Sequence, residues 1–304
     1  MSALSAAKSV TWTADAARVC ASAKINLRLQ IVGRRDDGYH LLDSIAVPID
    51  LHDQIHIRIE RASSPAVSVL CEPPDAAPGG ADNLAVRAAL WFMERTRTDA
   101  HVTIRLVKRI PWGAGLGGGS SDAAAVLRAL NAMLGEPIPM AELIASSLTL
   151  GADVPLFVFG RPAHMTGVGE ILEVCPITVR APAVVAFAGA PLSTATVYAK
   201  YDDLLTMSGP LSTIRASVRE PLRTMLQNDL EAAAFQIQPG LHSLKRRLCS
   251  LGAEGALMTG SGSAVFGIWR NWDDASAAAQ QLCMAGVWAR VVRVLERVPA
   301  VELV

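Results

Sequence analysis

The chain is poor in aromatic residues, carries no excess of either charge, and has neither a metal-ligand cluster nor a membrane signature. Phe, Trp and Tyr make up 5% of its 304 residues. Lysine plus arginine and aspartate plus glutamate each number 28, so the formal charge is zero. That balance gives no general attraction to nucleic acid or to a membrane surface. The five cysteines, Cys20, Cys71, Cys175, Cys249 and Cys283, are odd in number and widely scattered, with no C-x-x-C pair. No His/Cys cluster has zinc spacing. A reduced, cytoplasmic compartment fits this better than a disulfide framework. No apolar run is long enough to span a bilayer. Residues 1 to 17, rich in Ala, Ser and Thr, lack the apolar block of a signal peptide and read as a short disordered extension. What the chain does have is a length of 304 residues, which suggests one large or two ordinary domains, and 51% hydrophobic residues, enough for a substantial core.

It also has an unusual concentration of glycine. Five glycines (Gly113, Gly115, Gly117, Gly118 and Gly119) fall within seven residues of the stretch Lys108 to Ala123. Val126, Leu127, Leu130, Met133 and Leu134 then recur at helical spacing, and Gly135 stands where a helix C′ residue would. Ser120 or Ser121 can cap this helix. A glycine-rich loop feeding a helix N-terminus points N–H groups outward at the positive end of the dipole, which makes an anion site, most often for phosphate. Gly113, Gly115 and Gly118 satisfy the dinucleotide pattern G-x-G-x-x-G, but no strand ending in an acidic ribose ligand follows. A Walker loop would need Lys-Ser or Lys-Thr after the last glycine, where Ser-Ser stands here. A protein kinase would need H-R-D and D-F-G, and neither occurs.

The rest of the chain divides into recognisable elements. Residues 18 to 32 alternate, with Ile25, Leu27, Leu29 and Ile31 on one face and Lys24, Asn26, Arg28 and Gln30 on the other, the pattern of a half-buried strand. A polar turn, Gly33 to Gly38, precedes Tyr39 and His40. His52 and His56 lie in a second alternating stretch, Leu51 to Ile59. Asp82 or Asn83 can cap a helix from Leu84 to about Arg95, and His101 to Val107 alternates again. Asp153 is flanked by glycine, valine and proline and followed by Leu-Phe-Val-Phe. Burying a carboxylate there is costly without a partner, so it is either a helix N-cap or a catalytic group held near a cation. From about Ala183 the pattern reads strand, helices, strand, strand, helix, strand, with Pro191 to Thr196 as a loop. That is the ferredoxin-like order, and the domain junction falls between 160 and 182.

The loop Pro111 to Ser121, the Lys24 strand and the Gly260-Ser261-Gly262-Ser263 turn resemble the three motifs of the GHMP kinases, small-molecule kinases of galactose, homoserine, mevalonate and related alcohols. Within that superfamily, several segments of residues 18 to 295 resemble the 4-diphosphocytidyl-2-C-methyl-D-erythritol kinases. They are Ala23 to Leu27, Gly33 to His40, Gly117 to Ser121, Leu150 to Pro155, Gly167 to Glu170 and Asn228 to Glu231. The resemblance implies an α+β, two-domain GHMP kinase fold. Residues 18–175 would form a ribosomal-protein-S5-like, ATP-binding domain. Residues 176–304 would form a ferredoxin-like domain whose last residues pack back on the first.

The resemblance also implies a reaction: ATP, with Mg²⁺, phosphorylates the 2-hydroxyl of a cytidine diphosphate-linked methylerythritol, a step of the non-mevalonate route to isoprenoid precursors. Lys24 and Asp153 match the catalytic pair. Pro111, Trp112, Gly113, Ala114, Gly115, Leu116, Gly117, Gly118, Gly119, Ser120 and Ser121 match the ATP loop. Asn26, Tyr39 and His40 match the substrate pocket, where the histidine region reads the cytosine and the tyrosine stacks on it. Tyr198 lies where the family covers the other face of the base, with Thr194 beside it. Ser120 or Ser121 is in reach of Mg²⁺, with most ligands coming from ATP oxygens and water. The implied partner is the small-molecule substrate, with no nucleic acid or membrane, and the enzyme is a monomer or homodimer. Three rivals are another GHMP kinase of homoserine or mevalonate type, a non-catalytic nucleotide-binding sensor, and a dinucleotide oxidoreductase. The sensor should have lost Lys24 or Asp153, and both are present.

Overall fold

Two long strands, β1 (Ala16–Arg34) and β2 (His40–Arg61), pair antiparallel along almost their whole length. In the turn between them Gly38 adopts φ +90°, a conformation open to glycine at little cost. The computed structural model describes residues 10–208 and 225–304. β3 (Ala66–Glu72) and β4 (Ala100–Val107) extend the sheet, and β12 (Glu302–Leu303) closes its other edge, in the order β12-β1-β2-β4-β3. A hairpin of β5 (Ala163–Thr166) and β6 (Ile171–Val174) pairs with β2 through β5, and β8 (Gln227–Asn228) lies parallel to β1.

Four helices cover this sheet: α1 (Leu84–Thr96), α2 (Gly118–Met133), α3 (Met140–Ser147) and α4 (Val154–Phe159). The alternation of the strands supplies Ile55, Ile57, Ile104 and Leu106 to a core that also takes Phe92, Leu127 and Leu130 from the helices. Asn83 caps α1, its side chain accepting from the Ala85 N–H at 2.9 Å. Asp82, the other candidate cap, belongs to a short 3₁₀ turn instead.

The second sheet contains β7 (Ala183–Phe187), β9 (Gly255–Met258), β10 (Val265–Ile268) and β11 (Trp288–Val292), antiparallel throughout in the order β11-β7-β10-β9. With α5 (Thr194–Ser208), α6 (Glu231–Ile237), α7 (Gly240–Ser250) and α8 (Trp272–Met284) against it, this is the ferredoxin-like arrangement. Ile25, Leu27 and Val47 of the first sheet meet Val185, Phe187 and Phe266 of the second in a shared core.

The structure corrects four sequence expectations. First, residues 10 to 17 are not a disordered extension. Thr11 and Thr13 donate backbone N–H groups to Leu134 O and Met133 O at 3.2 and 2.7 Å, filling carbonyls at the end of α2, and β1 begins at Ala16; residues 1 to 9 lie outside the described residues. Second, β1 is not half-buried: every residue from Ala21 to Ile31 is buried, because its apolar face packs on the second sheet while its polar residues are paired, Lys24 with Asn26, Asn26 with Ser44 and Arg28 with Asp43. Third, α5 starts at Thr194, within what reads as a loop. Fourth, the Ser120 and Ser121 hydroxyls do not cap α2. Its cap position is Gly117 at φ +73°, with no side-chain bond. Among the described residues no helix is long and apolar enough to cross a membrane.

Candidate active site

The glycine loop shapes the site because side chains are excluded from it. Gly113, Gly115 and Gly117 have φ of +68°, +74° and +73°. A Cβ on Gly115 would run into the Thr259 and Gly262 carbonyls, and one on Gly117 would lie 2.6 Å from the Phe157 ring. The loop is tied on both sides: Lys24 N–H donates to Leu116 O at 3.0 Å, and Ala264 N–H donates to Ala114 O at 2.9 Å. The absence of a side-chain cap on α2 leaves its first-turn N–H groups facing outward at the positive end of the dipole, the arrangement that binds phosphate.

A cavity of about 870 Å³ opens over this loop. It gathers Lys24, Asn26, Tyr39, His40, Asp153, Thr194, Tyr198 and the whole run Pro111 to Ser120. Of the residues singled out from sequence, Ser121 alone is turned away: it is buried, and its hydroxyl donates to Ser22 O at 2.7 Å. Of the two serines, Ser120 is the one whose hydroxyl could meet a metal-bound phosphate.

Lys24 and Asn26 are only 4% and 5% exposed, so the polar face of β1 is not a solvated one. The Lys24 Nζ donates to Asn26 Oδ1 at 2.5 Å. Asn26 is itself held by Thr259 Oγ1, which accepts its N–H at 3.0 Å, and by Ser44 Oγ, which accepts from Nδ2 at 2.9 Å. Burial pushes the Lys24 ammonium below the usual lysine range, and the negative charge of Asp153 opposes that shift. Asp153 is half-buried, not enclosed in apolar surroundings, because α4 carries the apolar run Val154 to Val158 inward and leaves Asp153 at its start. The Asp153 side chain makes no cap bond. Of its two sequence readings, the N-cap is therefore not used, and the carboxylate lines the cavity that holds Lys24.

The far end of the cavity is aromatic. The Tyr198 ring packs on His40 with centroids 4.8 Å apart, tilted by 35°. Burial, with Asp153 and Tyr201 nearby, raises the Tyr198 hydroxyl's pKa, so it stays protonated. Tyr39, 64% exposed, stands at the rim. Thr194 shares a 2.8 Å hydrogen bond with Ser261 of the β9–β10 turn.

Sequence reasoning missed a buried cluster under the loop. Lys108 Nζ donates to Asp53 Oδ2 at 2.5 Å and to Asp122 Oδ2 at 2.7 Å. Asp53 Oδ1 also accepts the Arg109 and Ile110 N–H groups at 2.5 and 2.9 Å. Burial works against the Lys108 charge, but Asp122 and Asp53 outweigh it and hold the ammonium above the usual lysine range. Burial pushes the Asp122 carboxyl well up, with Asp53 adding to it and Lys108 opposing. Lys108 beside the loop was a readable signal. Nothing local to Asp53 marks it out. Asn228 to Glu231 is a second brace. Asn228 Nδ2 donates to Met258 O and Gly260 O, both at 2.8 Å, and Asp229 Oδ2 accepts Ile31 N–H at 2.9 Å, binding β1 to the Gly260 turn.

Comparison with known proteins agrees with this architecture. Family models for the GHMP kinases N terminal domain and the GHMP kinases C terminal domain match residues 83–161 and 212–287. A 4-diphosphocytidyl-2-C-methyl-D-erythritol kinase of Geobacter metallireducens is 39% identical over 272 residues, covering 88% of this chain and 94% of the relative. That of Geobacter sulfurreducens is 39% identical over 280 residues, covering 90% and 98%. A crystal structure of a 4-(cytidine 5'-diphospho)-2C-methyl-D-erythritol kinase superposes with a TM-score of 0.75 at 39% identity, covering 91% of this chain and 99% of that one. The homoserine kinase of Cytophaga hutchinsonii, at a TM-score of 0.68 and 17% identity over 96% of this chain and 98% of that one, shares the fold. With both halves of the chain matched and relatives aligned over nearly their full length, this protein belongs to the GHMP kinases and, within them, to the 4-diphosphocytidyl-2-C-methyl-D-erythritol kinase family.

Proposed function

We infer that this chain transfers the γ-phosphoryl group of ATP to the 2-hydroxyl of 4-diphosphocytidyl-2-C-methyl-D-erythritol, a step of the methylerythritol phosphate route to isoprenoid precursors. The observation that carries the reading is the single cavity with a phosphate cradle, a lysine–aspartate pair and a histidine–tyrosine end. A homoserine kinase and a mevalonate kinase share the fold with this chain at only 17% and 16% identity.

Phosphoryl transfer depends on positioning and charge neutralisation more than on covalent help. The loop amides and the α2 dipole hold the nucleotide phosphates. Asp153 accepts the proton of the substrate hydroxyl, or orients that hydroxyl while the proton leaves after transfer. Lys24, fixed by Asn26, stabilises charge on the attacking oxygen and the transferring group. Among the described residues no cluster of three His, Cys, Asp or Glu side chains is arranged to hold a metal. Ser120 and Asp153 line the cavity with oxygens that would be offered to Mg²⁺, which would neutralise phosphate charge when bound. A cytoplasmic location belongs to the same proposal and is supported by five free cysteines.

The test is to incubate the protein with ATP, Mg²⁺ and 4-diphosphocytidyl-2-C-methyl-D-erythritol, recording ADP release and product mass. Substrate-dependent ADP with one phosphate added to the acceptor is the expected result. ATP binding without turnover on this acceptor, but with turnover on homoserine or mevalonate, would overturn the substrate assignment.

A further inference from the structure

His40 is surrounded by one face of α5. Tyr198, Tyr201 and Asp202 stand at helical positions i, i+3 and i+4 and so project to the same side. Tyr198 lies 4.8 Å from the His40 ring, and Tyr201 meets it edge-on at 6.2 Å. Asp202 Oδ1 lies 2.7 Å from His40 Nε2, and its other oxygen takes Arg34 Nη1 at 3.2 Å. Arg34 is in turn fixed by its Nε, which donates to Gly38 O at 3.1 Å. The His40 side chain is 11% exposed, and it lines the cavity.

This geometry determines more than the ring's position. An ionised carboxylate only accepts hydrogen bonds, so the Asp202 contact requires the proton of a neutral His40 to sit on Nε2. Nδ1 is then an acceptor, and among the described residues it has no hydrogen-bond partner. The pyrimidines differ at the position such an acceptor would read: cytosine presents an N4 amino donor where uracil presents an O4 carbonyl acceptor. A site built to receive a donor rejects an analogue that presents an acceptor, because two acceptors would be left facing each other unpaired.

We propose that Asp202 is a specificity-determining positioning residue: by holding Nε2–H of His40 it makes Nδ1 an acceptor, so the pocket selects a cytosine over a uracil nucleotide. The proposal rests on the substrate reading given above and adds a residue and a reason for the base preference. No bond is made or broken by Asp202, whose effect passes entirely through the His40 ring.

The experiment compares kcat and KM for the cytidine diphosphate substrate and its uridine diphosphate counterpart in the parent protein, Asp202→Ala and Asp202→Asn. Asn keeps the shape but can donate as well as accept, so it no longer imposes a tautomer. The expected result for Asp202→Ala is a KM for the cytidine substrate raised about tenfold, the size of one lost hydrogen bond. The cytidine-to-uridine preference in kcat/KM should fall by a similar factor, while kcat and the KM for ATP stay within about twofold. Asp202→Asn should move in the same direction by less, and Asp202→Glu, which restores an acceptor-only partner, should recover part of the preference. In parallel, ¹⁵N-histidine NMR of the parent protein should show His40 with its proton on Nε2, and Asp202→Asn should show a mixture. An unchanged preference, equal losses on both nucleotides, or a proton on Nδ1 in the parent protein would overturn the assignment. Failure of the parent protein to turn over the cytidine compound would overturn the proposed function and this inference with it. Normal turnover with an unaltered base preference in the variants would overturn this inference alone.

Discussion

The glycine loop touches two buried lysines whose surroundings are opposite in kind. Lys108 is clasped by Asp53 and Asp122 at 2.5 and 2.7 Å, and its charge is held up by them. Lys24 hydrogen-bonds a neutral amide oxygen, that of Asn26, and burial pulls its charge down against the more distant Asp153. A cation already matched by two carboxylates has little left to offer an incoming anion. A buried cation without such partners is unfavourable by itself and gains when a phosphate arrives. The same residue type thus braces the scaffold on one side of the loop and, in the proposed function, meets the phosphate on the other.

Breaking the functional side should have the largest effect. Asp153→Asn should leave ATP affinity unchanged and lower kcat by on the order of 10²- to 10⁴-fold, the usual size of an acid–base contribution; near-normal turnover would remove Asp153 from the chemistry. Lys24→Met should lower kcat by about 10²- to 10³-fold, as expected for one lost electrostatic donor. Its chemical denaturation curve should show stability unchanged or slightly raised, because an incompletely paired buried charge has gone. Lys108→Met should do the opposite in the same denaturation experiment, costing about 3–5 kcal/mol by leaving two buried carboxylates without their cation. Equal stability losses in the two variants would dissolve the contrast between the lysines.

A pH profile sharpens the same comparison. The Lys24 cation exists below its pKa, and that pKa is lowered by burial. Activity should therefore fall as pH rises, along a limb centred below the usual lysine value of 10.5. In Lys24→Arg the residual activity should lack that limb, since guanidinium stays charged. The smallest effect is expected at the cavity rim. Tyr39→Ala should raise the substrate KM without changing that for ATP, within the roughly 1–3 kcal/mol of one base–aromatic stack.

The glycine-loop end of the cavity was far more legible than the aromatic end. Five glycines in a short run followed by a helical pattern describe a backbone conformation, and backbone conformation is a local property that residue types reveal directly. The alternation of Lys24 and Asn26 was equally readable, but not their burial, which depends on a loop more than eighty residues away folding over them. Asp153 was singled out for the wrong surroundings: the apolar run after it enters the core as α4, and the carboxylate itself stays at the cavity. Asp53 and Asp202 were invisible because their partners, Lys108 and His40, lie 55 and 162 residues distant. Reading Pro191 to Thr196 as a loop hid the helical spacing that sets Asp202 beside Tyr198.

What the sequence determined by itself was the main run of strands and helices in each half of the chain, the glycine-rich turn into α2, and the family to which the chain belongs. These follow from periodicity, from glycine's freedom at positive φ, and from motifs that are contiguous in the chain. Which lysine is paired with carboxylates and which with an amide, which serine faces the cavity, and which acid stands against the His40 ring were decided only by tertiary structure. Each depends on a charge or hydrogen-bond partner brought from a distant segment, and in a low-dielectric interior a partner a few ångströms away outweighs the intrinsic preference of the residue.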